Sequence, residues 1–166
     1  MELDLPRLLD VLHRHQVIYV LIGGLAAVYH GSPFPTEDVD ITPATDRANL
    51  SRLADALLEL NAKIRTEGVP AGLPFAYDAD SLASVLTWNL QTDAGDLDLA
   101  LQPSGTRGYI DLRRDATAAQ LYDVTVHIAS LADIIRSKTA ADRPKDRRAL
   151  PTLRELLIKY TDSEPN

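Results

Sequence analysis

Asp38 and Asp40 stand two residues apart in the run Thr36-Glu37-Asp38-Val39-Asp40-Ile41, each followed by an aliphatic residue. On a strand, residues i and i+2 share a face, so both carboxylates project together while Val39 and Ile41 turn to the core. Neighbouring carboxylates repel and are costly unless a proton or cation lies between them. Hard oxygen donors of this kind suit Mg²⁺. The same alternation also fits an exposed strand edge with solvated acids. Asp96-Leu97-Asp98-Leu99 repeats the pattern later in the chain. A third carboxylate from an adjacent strand would complete a two-metal site, which stabilises the attacking and leaving oxygens of a phosphoryl displacement. Plain alternation on a half-exposed hairpin is the other explanation. Gly23-Gly24 lets backbone amides approach a ligand where a strand turns into a helix, although a tight turn alone would use the same residues.

These residues need a sheet to hold them. The apolar run Val17 to Ile22 predicts a buried strand ending at the two glycines, and Leu25 to His30 a short helix stopped by Gly31. Asp38 to Thr42 reads as a strand, and Asp46 caps a helix to about Asn61. Val85 to Gln91 and Asp96 to Leu101 form a predicted hairpin about Asp93-Ala94-Gly95. The spacing of Leu8, Leu9, Val11 and Leu12 predicts a first helix over Leu5 to His15. Thr66 to Tyr77, with two prolines and two glycines, reads as a loop, and so does Pro103 to Gly108. Ser81 to Ser84 reads as a helical turn and Val124 to Ile128 as a strand. Ser130 opens a helix to about Ala141 that Pro144 ends, and a last helix spans Leu150 to Tyr160. The expected architecture is an α/β (α+β) single domain over residues 1–160, a mixed β-sheet flanked by helices, with a flexible tail at 161–166.

With 166 residues and no cysteine, the chain excludes a disulfide scaffold, a thiolate zinc site and a cysteine nucleophile. No apolar run reaches the roughly 20 residues of a membrane span. The start is acidic, unlike a signal peptide, so a cytoplasmic protein with no membrane partner is expected. The net charge is −7, yet Arg136 to Arg154 carries seven basic residues against two acidic ones. An acidic body with one basic segment does not suit general nucleic-acid binding. It suits a site that receives one polyanion beside a metal. Motifs for a serine hydrolase elbow, a phosphate loop and a His-Glu-x-x-His zinc site are missing.

Taken together, Ile22-Gly23-Gly24, Asp38-Val39-Asp40-Ile41 and Leu97-Asp98-Leu99 resemble the nucleotidyltransferase superfamily that includes polymerase β. Ala26, Ala27, His30-Gly31, Thr36 and the run Ser137-Lys138 to Arg143-Pro144-Lys145-Asp146 look closest to its minimal, AbiEii-like bacterial branch, which supplies toxin–antitoxin components. The resemblance covers Val17 to Leu157. It implies the nucleotidyltransferase fold and Mg²⁺ (or Mn²⁺) held by Asp38, Asp40 and Asp98. It further implies that Asp98 serves the acceptor hydroxyl and that Gly23 and Gly24 cradle the triphosphate of an NTP such as ATP. Asp98 is preferred to Asp96 because apolar residues flank it on both sides. Where many members have serine, this chain has Gly24.

Thr36, Lys138 and Lys145 are further nucleotide-binding candidates, and a solvated basic helix face is the alternative for the lysines. Asp146 is a possible partner of Lys145. His30 reads as a helix-end group, His127 and Trp88 as structural, and His13 and His15 as surface residues of the first helix. The expected reaction moves an NMP from an NTP to a hydroxyl acceptor. No second domain is visible to grip a large substrate, which leaves the choice of acceptor open; tRNA or another RNA, or a protein, is the favoured acceptor, in a toxin–antitoxin setting with a cognate partner. The alternative is a non-catalytic module of the same fold acting as a toxin or antitoxin partner.

Overall fold

The computed structural model describes residues 2–163. Strand β1 (Tyr19–Ile22) leads into helix α2 (Gly23–Tyr29), and β2 (Asp38–Pro43) into α3 (Arg47–Glu59). Helix α1 (Leu5–Arg14) precedes them. Next come β3 (Lys63–Thr66), β4 (Val69–Leu73), α4 (Ala79–Ala83), β5 (Thr87–Thr92) and β6 (Gly95–Ala100). The chain closes with α5 (Tyr109–Arg114), β7 (Thr117–Leu121), β8 (Val124–Ile128), α6 (Leu131–Ala141) and α7 (Pro144–Ser163). The eight strands form one mixed sheet in the order β4-β3-β5-β6-β2-β1-β8-β7. The expected mixed α/β domain is what the chain adopts.

The centre of the sheet follows from its sequence alternation. Val39 and Ile41 of β2 and Leu97 and Leu99 of β6 are fully buried, in one core with Leu8, Leu9 and Leu12 of α1 and Leu50, Leu53 and Leu57 of α3. The intervening acids therefore occupy the other face of both strands. Helix starts are fixed by side-chain caps: Asp4 accepts from the Arg7 amide, Asp46 from Asn49 and Ser130 from Asp133.

Asn49 ties α3 to the loop before β1 and to the end of β2. Fully buried, it accepts from the Ile18 amide at 2.7 Å and donates to Ile18 O at 2.8 Å and Ala44 O at 2.7 Å. Each buried group left without a partner costs about 1–3 kcal/mol. Asn49→Ala is expected to cost about 3 kcal/mol and lower the melting temperature by roughly 6–12 °C, read by calorimetry. A drop of under about 2 °C would remove this tie from the account.

Several expectations are corrected. Thr66 to Tyr77 is not one loop, because Lys63–Thr66 and Val69–Leu73 pair as a hairpin. Proline and glycine mask it, yet β4 is an edge strand, where Pro70 is tolerated. Gly72 is required there, since its φ is +74° and a Cβ would lie 3.1 Å from Ile64 O. Helix α5 and strand β7 were not expected; β7 is a mostly exposed edge of Thr, Ala and Gln with little apolar signal. Pro144 does not end α6 but opens α7, which contains Pro151. The reversal is made by Asp142 in a left-handed conformation, φ +52°. Helix α7 continues to Ser163, into the stretch expected to be a tail, and residues 164–166 lie outside the described residues. Among the described residues no helix is long and apolar enough to cross a membrane.

Candidate metal and nucleotide site

Strands β2 and β6 are parallel neighbours, with Asp38 opposite Asp96 and Asp40 opposite Asp98. That register stacks the acidic faces of both strands. One carboxylate oxygen each from Asp38, Asp40 and Asp98 lies within 4.8 Å of the others. Asp96 falls outside this cluster and instead meets Arg65 at 3.3 Å.

Gly23 and Gly24 form the first turn of α2 rather than a turn before it, so the helix starts two residues earlier than expected. Gly23 has φ +68°, and a Cβ on it would lie 2.7 Å from Asp40 Cγ. The chain thus presses bare backbone against the central carboxylate. A Cβ on Gly24 would lie 2.9 Å from Thr36 Oγ1. A side chain at position 24 would compete with Thr36 for one space, which accounts for glycine there. The Thr36 hydroxyl donates to Asp38 O at 3.2 Å and approaches its carboxylate at 3.4 Å.

The electrostatics match the crowding. Asp40 is pushed up to about 7, first by burial and then by the charges of Asp38 and Asp98; Lys145 and Lys138 oppose the shift. Burial likewise raises Asp98 to about 6, against Arg65 and with Asp38. Three carboxylates in this setting cannot all stay ionised without a counter-cation. Their hard oxygen donors fit Mg²⁺ or Mn²⁺.

The basic segment faces them across a cleft of about 1190 Å³ lined by Gly23, Gly24, Asp40, Lys138, Lys145 and Arg148 among others. Asp146, fully buried, does not pair with Lys145. It accepts from Arg143 Nε at 2.7 Å and from the Arg143 amide at 3.2 Å, with Lys138 Nζ at 3.5 Å. The reason is that α7 starts at Pro144, which places Asp146 in the first turn, turned back on Arg143. Lys145 forms no ion pair among the described residues and is exposed.

Sequence reasoning missed Arg65. Its Nη2 donates to Asp98 Oδ1 at 2.9 Å from the hairpin expected to be partly loop. A positive residue just before that stretch was the only signal. The remaining candidates are structural in their contacts. His30 Nε2 meets Ala129 O at 2.8 Å, Trp88 Nε1 donates to Leu82 O at 3.1 Å, and His15 meets Glu59 at 2.9 Å. His127 pairs along β8 with Ala118 of β7.

No protein-family model matches the chain, and a comparison with curated proteins found no match. Solved structures do match. The lincosamide antibiotic adenylyltransferase LnuA, in its lincomycin-bound crystal structure, aligns with 92% of this chain and 96% of its own, at 17% identity and a TM-score of 0.60. The antibiotic-resistance factor ANT(2'')-Ia aligns with 95% of this chain and 89% of its own, at 14% identity and a TM-score of 0.55. The likeness is one of fold: the chain has the nucleotidyltransferase fold expected from its motifs. Neither description names a toxin–antitoxin role.

Proposed function

We propose that this chain is a metal-dependent nucleotidyltransferase that moves a nucleoside monophosphate from an NTP to a hydroxyl acceptor and releases pyrophosphate. The observation that carries the reading is the convergence of Asp38, Asp40 and Asp98 within 4.8 Å beside the Gly23-Gly24 turn. Asp38, Asp40 and Asp98 would hold Mg²⁺ or Mn²⁺. Bound there, the metal would act as Lewis acid and neutralise charge on the transferring phosphoryl group.

The protein's own groups have distinct tasks in this reading. Thr36 steadies Asp38. The bare backbone at Gly23 and Gly24 lets the triphosphate come close, and Lys145 with Lys138 offsets its charge as point cations. The Asp98 carboxylate, placed among the metal-holding acids, would also help to remove the acceptor's proton. ATP is the first donor to test, because LnuA is an adenylyltransferase.

Two classes of acceptor are in play. The sequence resemblance points to tRNA or a protein in a toxin–antitoxin pair. The antibiotic-directed proteins of the same fold support a small hydroxyl-bearing molecule, and we favour it. They align over nearly their whole length without a larger substrate domain in the match. The cleft of about 1190 Å³ also exceeds the roughly 300–1,000 Å³ of single-ligand pockets, leaving room for a donor and a small acceptor together.

The test is label transfer from each α-labelled NTP, with Mg²⁺ or Mn²⁺, to a panel of hydroxyl-bearing small molecules, to total tRNA and to cell lysate. Asp38→Ala/Asp40→Ala is the control. Metal-dependent transfer to a small molecule, lost in the control, is expected. Transfer only to RNA or protein would replace the acceptor assignment and favour the toxin–antitoxin setting. No transfer to anything by folded, metal-binding protein would leave the non-catalytic module.

A further inference from the structure

Arg65 belongs to β3, and β5 lies between it and β6. Its side chain crosses that strand on the acidic face. Nη1 donates to Leu90 O at 3.0 Å and stands 3.3 Å from Asp96 Oδ2, while Nη2 donates to Asp98 Oδ1 at 2.9 Å. Three acceptors thus hold the guanidinium charge beside Asp98. The Asp98 side chain is only 17% exposed, so little water screens the contact. Asp38 and Asp40 have no such partner, since neither forms an ion pair among the described residues. The triad is therefore asymmetric: two carboxylates are open to a metal ion, and the third already carries a cation.

Building on the metal-site reading, we propose that Arg65 is a positioning residue and built-in counter-cation for Asp98, so that without nucleotide the triad takes one divalent cation, through Asp38 and Asp40. A guanidinium stays protonated at any physiological pH, so it cannot yield its place by losing a proton. A second divalent cation on Asp98 meets like charge at close range in a poorly screened site. It must either tolerate that charge or displace a side chain held by three acceptors. A triphosphate changes the balance, because its negative charge offsets both cations. The second metal position then opens only as the nucleotide arrives, and the order of binding is set by one side chain of β3.

The experiment is a Mn²⁺ titration of the nucleotide-free full chain, with bound ions counted by electron paramagnetic resonance and calorimetry. Wild type is expected to bind one ion. Arg65→Gln is expected to bind two, the second at least about tenfold tighter than any second ion in wild type. Arg65→Gln/Asp98→Asn should return to one, which assigns the gained ion to Asp98. Arg65→Lys keeps the charge and should stay at one, and it tests the idea even if the glutamine variant folds poorly. Equal stoichiometry in wild type and folded Arg65→Gln, or two ions in Arg65→Lys, overturns the proposal while leaving the metal site standing. No Mn²⁺ in any variant overturns both readings together.

Discussion

Asp40→Asn is expected to lower nucleotide transfer by roughly 10³-fold or more while making the metal-free protein more stable at pH 8. The two effects have one cause. Asp40 is pushed up to about 7 by burial and by the neighbouring charges of Asp38 and Asp98. In the unfolded chain its value returns to about 3.9. Between these values the folded state holds a proton that the unfolded state lacks, so stability falls as pH rises through that window. Above about 7 the full penalty for a buried, crowded carboxylate is present. Asparagine cannot ionise, so it escapes a penalty of about 2–4 kcal/mol and should melt roughly 4–16 °C above wild type at pH 8. Well below pH 4 the two proteins should nearly coincide. Mg²⁺ should raise the wild-type melting temperature more at pH 8 than at pH 6, where it must displace a proton, and should raise the variant's little. Calorimetry at three pH values and a steady-state rate decide it. A variant no more stable than wild type at pH 8, or one keeping a tenth of the activity, would refute this account of the site.

How much of this was legible in the sequence depended on how locally each feature is determined. A half-buried strand writes its orientation into alternation, so Asp38-Val39-Asp40-Ile41 and Asp96-Leu97-Asp98-Leu99 disclosed both acidic faces and their core-facing partners. The parallel pairing that joins the two faces is non-local and was not predicted; pattern suggested only an adjacent strand, and the family resemblance singled out Asp98. Arg65 was invisible for the same reason. Its part arises from the antiparallel pairing of β3 with β5, on an edge hairpin rich in proline and glycine. Asp146 was seen but given the wrong partner, because Pro144 can stop one helix or start the next. It starts α7, and the first turn then aims Asp146 at Arg143 and Lys138. The Gly24 departure from the family pattern became intelligible only with Thr36 in place beside it.

Gly23→Ala and Gly24→Ala should separate the two glycines sharply. At Gly23 the backbone itself is unsuited to a side chain, since φ is +68°. A left-handed residue other than glycine costs about 1–2 kcal/mol before any contact is counted. The added Cβ would also lie 2.7 Å from Asp40 Cγ, so the carboxylate must move away from Asp38 and Asp98. The combined cost should reach about 2–5 kcal/mol, with loss of measurable Mn²⁺ binding and transfer in the protein that remains folded. At Gly24 the backbone has no positive φ, and the obstacle is a side chain, Thr36, at 2.9 Å from its hydroxyl and 3.0 Å from its Cβ. That obstacle can be removed. Gly24→Ala should weaken Mn²⁺ binding only moderately, because it disturbs Asp38 through Thr36, and Gly24→Ala/Thr36→Ala should relieve the crowding and recover much of the lost stability. No second substitution at Thr36 should rescue Gly23→Ala. Metal titration and melting curves for the two single variants and for each combined with Thr36→Ala measure this. Equal damage at both positions, or rescue of Gly23→Ala by Thr36→Ala, would mean that the turn acts as one loose loop. The contrary result would make Gly23 a rigid wall that sets where Asp40 can stand.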